Sequence, residues 1–156
     1  MHEHHEVRIA ACPDYVWAVL TDVSRWPQFA PSLREVVPFD GGPLVAGGGV
    51  RVRARRLPVR EWQVTELRPH RGFTWAGTGV FASARLRVAI TAEGSGRSLV
   101  AFTLEHSGRV ASVVGRLTGP TAATHVGELA AGLRRRCEAG QCGPSGSVAG
   151  VAQRTR

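Results

Sequence analysis

Arg85-Leu86-Arg87-Val88-Ala89-Ile90-Thr91-Ala92, followed by Glu93-Gly94-Ser95-Gly96 and then by Ser98-Leu99-Val100-Ala101-Phe102-Thr103-Leu104-Glu105-His106, is the stretch that decides the architecture. Leu86, Val88 and Ile90 alternate with Arg85 and Arg87, and Val100, Phe102 and Leu104 alternate in the same way. A period of two is the mark of a strand with one covered face. The glycine-rich turn between the two runs makes them a hairpin. The strands are predicted over 81–92 and 98–106.

Working outward toward the C-terminus, the period changes after Ser107-Gly108. A short helical piece over 110–117 meets Gly119-Pro120, where a break or kink is expected. A longer helix is predicted from about Pro120 to Glu138, with Thr118 as cap and Pro120 suited to the first turn. At about 100° per residue, Ala122, His125, Val126, Leu129 and Leu133 share one face. From Ala139 onward the small and polar residues bury too little surface to offset ordering entropy. The chain therefore divides into one domain over 1–138 and a flexible tail over 139–156.

Toward the N-terminus, alternation predicts strands over 73–76, 59–67, 50–57 and 34–39. Further back lie two short helices. One enters through Cys12-Pro13-Asp14 and carries Val16, Trp17, Val19 and Leu20; the other spans 22–31 around Trp26-Pro27. A first strand covers 6–10. The order is strand, two short helices, six strands, long helix. An α+β domain satisfies it: a curved antiparallel sheet of about seven strands gripping the C-terminal helix. One helix cannot fill a wide curved sheet, so a cavity beside it is expected, a usual place for a small molecule.

Composition fits a single domain. The chain has 156 residues, 43% of them hydrophobic, with Lys+Arg 20 against Asp+Glu 12 and a net charge of +8. Every basic residue is Arg, which together with the abundance of Gly, Ala and Val reads as the codon bias of a GC-rich bacterial genome. No apolar run is long enough for a transmembrane helix. The N-terminus lacks a signal-peptide pattern, which makes a cytoplasmic location the expectation. Cys12, Cys137 and Cys142 match no zinc or redox spacing and are expected to be reduced thiols.

Strand parity and the helical wheel nominate the residues that carry chemistry. Glu66 shares parity with Trp62 and Val64, so it is expected to face the cavity as a partly desolvated acid; the alternative is a strand-end carboxylate paired with Arg68. His106 shares parity with Phe102 and Leu104 and can serve as an acid or base near neutral pH. His125 lies on the apolar stripe of the long helix, with Glu128 on its flank. Trp26, Phe29, Trp62, Val64, Leu86, Phe102 and Leu104 are the expected ligand-binding surface. No metal and no cofactor are expected. His2, His4 and Glu6 share parity, but a frayed terminus is a poor metal site, and Gly47-Gly48-Gly49 lacks the features of a phosphate loop. Arg51, Arg53 and Arg55, with Arg56 and Arg60 as further members, form an outward basic strip, read first as a solvated face and otherwise as a dock for an acidic partner. Nucleic acid is not expected, since the strip has no interleaved aromatics and no recognition helix accompanies it.

The stretch from Val7 through Asp22, with Trp26-Pro27, resembles the opening of the polyketide cyclase/dehydrase-like branch of the START/SRPBCC superfamily. Trp62-Gln63-Val64-Thr65-Glu66-Leu67-Arg68-Pro69 with Phe73-Thr74-Trp75, and Phe102 to Gly108 with the helix ending Gly132 to Glu138, are similar to its middle and end. The resemblance covers about Glu6 to Glu138 and implies the helix-grip fold already reached from element order. It also implies an apolar pocket lined by aromatics, with Trp26 and Trp62 at pocket positions. An Arg on the fourth strand orients the polyketide in aromatase/cyclases of this group; its position falls here on Glu66. The function this implies is binding of a hydrophobic small molecule, polyketide-like, with acid–base cyclisation or dehydration of a keto intermediate in bacterial specialised metabolism by Glu66, His106, His125 and Glu128. The alternative is a non-catalytic carrier or chaperone for a lipid or aromatic metabolite. An acidic acyl carrier protein is the partner that would suit the Arg strip.

Overall fold

The computed structural model describes residues 2–57, 59–78, 83–94, 96–107 and 111–140, with the side chains of 78 and 111–122 left aside. Seven strands form one sheet: β1 His2–Ile9, β2 Leu33–Pro38, β3 Gly49–Ala54, β4 Arg60–Arg68, β5 Gly72–Thr78, β6 Ser83–Ala92 and β7 Ser98–Ser107. The order across the sheet is β1-β7-β6-β5-β4-β3-β2 and every pairing is antiparallel. The hairpin read from sequence joins β6 and β7, with Leu86 opposite Leu104 and Val88 opposite Phe102. Gly94 and Gly96 take positive φ in its turn, where a glycine carries no steric penalty.

Helix α1, Pro13–Thr21, fills the corner between β1 and a 3₁₀ turn at Val23–Gln28. Pro13 lies in the first helical turn, where a missing N–H costs nothing, and Asp14 meets the positive helix end. Val16 and Leu20, four residues apart, are buried together. The indole N–H of Trp26 donates to the carbonyl of Leu20 at 3.0 Å and so fixes the 3₁₀ turn against the end of α1.

Helix α2, Ala111–Gly140, closes the concave side of the sheet. It runs unbroken, without the interruption expected at Gly119-Pro120. An interior proline removes one backbone hydrogen bond and costs about 3 kcal/mol; the helical bonds on either side outweigh that here. The helix also extends past Glu138 to Gly140, two residues into the stretch read as tail; residues 141–156 of that stretch lie outside the described part. At Gly132 the helix passes so close to the 3₁₀ turn that a Cβ would overlap the carbonyl of Phe29. The inner faces of α2 and the sheet supply the core, with Leu133, Val100, Phe102, Val50 and Val64 almost wholly enclosed.

The register of β4 on β5 shifts between Val64 and Glu66: Val64 lies opposite Trp75, yet Glu66 lies opposite Thr74. One extra residue, Thr65, sits in β4 as a bulge. Such a bulge reverses the facing of every residue beyond it.

Candidate functional site

Between α2 and the sheet lies a cavity of about 110 Å³. The aromatic part of its wall is Trp26, Trp62 and Trp75. Leu33, Val52, Ala54, Leu57, Leu86 and Leu104 come from the sheet and its loops, and His125, Val126 and Leu129 from α2. Trp26 and Trp75 lie nearly parallel, with ring centroids 5.3 Å apart, and Trp62 leans on Trp75 at 6.2 Å. The indole N–H of Trp75 is buried and has no hydrogen-bond partner among the described residues.

Of the residues expected to bind ligand, Trp26, Trp62, Leu86 and Leu104 line this cavity. Phe29, Val64 and Phe102 do not; they are buried in the surrounding core. Parity identifies the inward face but not the depth along the strand at which packing ends and the cavity starts. Trp75 is the most telling addition. It alternates with Phe73 along β5, a signal present in the sequence, and both side chains are buried.

Glu66 does not face the cavity. The bulge at Thr65 turns it to the outer surface, where it forms an ion pair with Arg68 at 2.8 Å and accepts a hydrogen bond from the Thr74 hydroxyl at 3.4 Å. Trp62 and Val64, before the bulge, keep the inward facing that alternation gives them.

His125 and Glu128 are brought together through Ser32, which precedes β2. The imidazole of His125 is buried in the cavity wall. Its Nε2 lies 2.7 Å from the carbonyl of Arg55, and a carbonyl can only accept, so Nε2 carries a proton. Its Nδ1 lies 2.8 Å from the Ser32 hydroxyl. The backbone N–H of Ser32 donates to Glu128 at 2.7 Å. That bond holds the Glu128 carboxyl below the usual glutamate range. Burial opposes it, while the Ser32 hydroxyl and the neighbouring His125 and Arg55 reinforce it. The sequence offers no periodic signal for Ser32, a polar residue in an irregular segment.

His106 lies apart from this trio. It is half-buried near the end of β7, two residues beyond the cavity-lining Leu104 and opposite Ala84. Burial lowers its pKa from the ordinary imidazole value; the charge of Arg60 adds to this and Glu3 opposes it. Burial and Arg60 together thus favour the uncharged imidazole. It also borders a second, more polar cleft of about 410 Å³ with His2, Ser83, Arg85 and Glu105.

The basic strip is on the outer face of β3, as alternation predicts. Arg51 is paired with Glu61 at 3.1 Å, and Arg53 and Arg55 are exposed. At the N-terminus, His4 contacts both Glu6 at 3.2 Å and the Thr103 hydroxyl at 3.0 Å. No cluster of three or more potential metal ligands occurs among the described residues. No helix among them is long and apolar enough to cross a membrane.

Residues 2–138 match the family described as "Polyketide cyclase / dehydrase and lipid transport". No curated protein matches the sequence. Among solved structures, a hypothetical protein from Helicobacter pylori superposes with a TM-score of 0.74 at 14% identity, covering 88% of each chain. A START superfamily protein from Mycobacterium smegmatis gives 0.66 at 18%, covering 88% of this chain and 97% of that one. The Zhui aromatase/cyclase from a Streptomyces species gives 0.65 at 19%, covering 90% and 98%. At these identities the likeness is one of fold.

Proposed function

Since the chain belongs to the polyketide cyclase/dehydrase and lipid transport family, we propose that it takes up a hydrophobic, ring-containing small molecule in the cavity between α2 and the sheet. The observation that carries this reading is the wall itself: three tryptophans and a ring of aliphatic side chains line a space that no side chain of the described residues fills. An apolar cavity of this kind stays dry and takes an apolar guest, whose burial is favourable by about 25 cal/mol per Å². A space of about 110 Å³ suits a single aromatic ring or a short chain. Mass spectrometry of the purified protein under native conditions tests it. A bound hydrophobic compound that is released unchanged fits a carrier. Failure of any apolar compound to bind or to alter tryptophan fluorescence would remove the reading.

A second reading, acid–base conversion of a polyketide-like keto compound, is favoured by one observation. His106 lies one inward step beyond the cavity-lining Leu104, and its burial favours the uncharged imidazole, so it can accept a proton from a ligand that extends out of the cavity. His125 is less suited to that step because both ring nitrogens are already engaged. Glu128 is held as a carboxylate behind Ser32 and supports His125 rather than the ligand. Turnover of a keto compound by the wild type and its loss in a folded His106→Ala variant is the result this reading requires; unchanged turnover in that variant excludes His106.

A further inference from the structure

Two polar residues outside the lining of the apolar cavity continue its inward sheet face at one end. β4, β5, β6 and β7 alternate in direction, so the start of β4 and the end of β7 lie at the same edge of the sheet. Arg60 is one inward step before the cavity-lining Trp62, and His106 is one inward step after the cavity-lining Leu104. The guanidinium of Arg60 stacks over the Trp62 ring, 5.5 Å from its centroid. Gly77 of β5 makes room for the stack: a Cβ there would stand 3.0 Å from Cδ of Arg60 and 3.1 Å from the Trp62 ring. Arg60 is half-buried, and no carboxylate among the described residues forms an ion pair with it. This contrasts with Arg51 on the neighbouring β3 and Arg68 at the far end of β4, which are each paired with a glutamate.

A guanidinium does not give up its proton in a protein. Holding one partly desolvated is unfavourable without a counter-charge, and burial does press Arg60 below its ordinary value. Stacking on an indole compensates in part, since the ring face attracts cations. Two or more N–H donors of the fork are left for a planar oxyanion. Glu3, the inward carboxylate of β1 at this end, is separated from β4 by β7, β6 and β5 and acts on His106.

We propose that Arg60 anchors a carboxylate of the ligand at the mouth of the cavity, so that the natural ligand is a hydrophobic organic acid with its apolar body against the tryptophans and its charge on the guanidinium. This rests on the cavity reading above and narrows it to a substrate class. Neutral sterol-like or hydrocarbon guests would leave the guanidinium without a partner.

The test uses hydrocinnamate and its neutral counterpart hydrocinnamamide, titrated into the full chain and followed by tryptophan fluorescence and calorimetry. Wild type is expected to bind the acid about tenfold more tightly than the amide. Arg60→Gln should abolish that preference by weakening the acid far more than the amide, and Arg60→Lys, which keeps the charge, should retain part of it. Thermal melting of both variants confirms that they are folded. If the acid and amide bind wild type equally, or if Arg60→Gln keeps the preference, the anchor is wrong and the cavity reading survives. If neither compound binds wild type, both fall.

Discussion

The hydroxyl of Ser32 lies 2.8 Å from Nδ1 of His125, and this contact joins the segment before β2 to the cavity face of α2. Through its backbone N–H, the same serine also holds Glu128. Ser32→Ala keeps the backbone bond but leaves a buried ring nitrogen unpaired. The expected loss is about 1–2 kcal/mol in urea unfolding. A loss under about 0.3 kcal/mol would mean that the hydroxyl contributes little.

Glu128 gives a pH signature. Its folded pKa is below the ordinary glutamate value. The stabilisation it provides is therefore complete above the unfolded pKa and disappears as pH falls through the folded one. Glu128→Gln retains an acceptor for Ser32 but not the charge. Its stability should trail wild type by about 1 kcal/mol at pH 7, with the gap closing in acid below the usual carboxylate range. A gap that is constant with pH would point to packing instead of charge.

Gly132→Ala tests the close approach of α2 to Phe29. In an exposed helix interior this change stabilises by about 1 kcal/mol. Here the added Cβ overlaps the Phe29 carbonyl, so destabilisation of about 1–3 kcal/mol is expected. The sign of the change in melting temperature decides between the two.

Ala54 is buried in the cavity wall. Ala54→Leu should occupy the empty space, leave stability within about 1 kcal/mol of wild type or raise it, and reduce hydrocinnamate binding by tenfold or more. Undiminished binding would locate the guest elsewhere.

Glu66 faces out. Glu66→Gln should leave hydrocinnamate affinity within about twofold of wild type and change stability by less than about 1 kcal/mol, as expected for an exposed ion pair. A large drop in affinity would mean that β4 turns inward on binding.

Glu66 also marks where sequence reading stops. The seven strands, the two short helical segments and the long helix follow from hydrophobic period, because a face buried against α2 must be apolar at every second residue. That logic places Trp62 and Val64 correctly and fails one step later. The bulge at Thr65 leaves alternation in the letters unchanged while reversing it in space. The wheel places His125 on the inner face of α2. It cannot show that Ser32, 93 positions away in sequence, meets it. Pro120 misleads for a different reason, since a local penalty is read without the helix that outweighs it. Arg60 is misread from the sequence: grouped there with the outward basic strip, it shares the parity of Trp62 along β4 and is half-buried over that ring instead.

The pairing of β1 with β7 has a consequence for biosynthesis. His2–Ile9 is made first, yet its only neighbour in the sheet is Ser98–Ser107. At about 5–20 residues per second, a ribosome needs roughly 5–20 s to add the hundred or so residues between the start of one strand and the end of the other. During that interval the nascent N-terminus has no strand to dock on. The hairpins from β2 to β6 can assemble as they emerge, but β1 finds its partner, and α2 its full seat, only after β7 has been made. A shortened N-terminus would leave β7 as a bare edge and expose its backbone donors and acceptors to other chains.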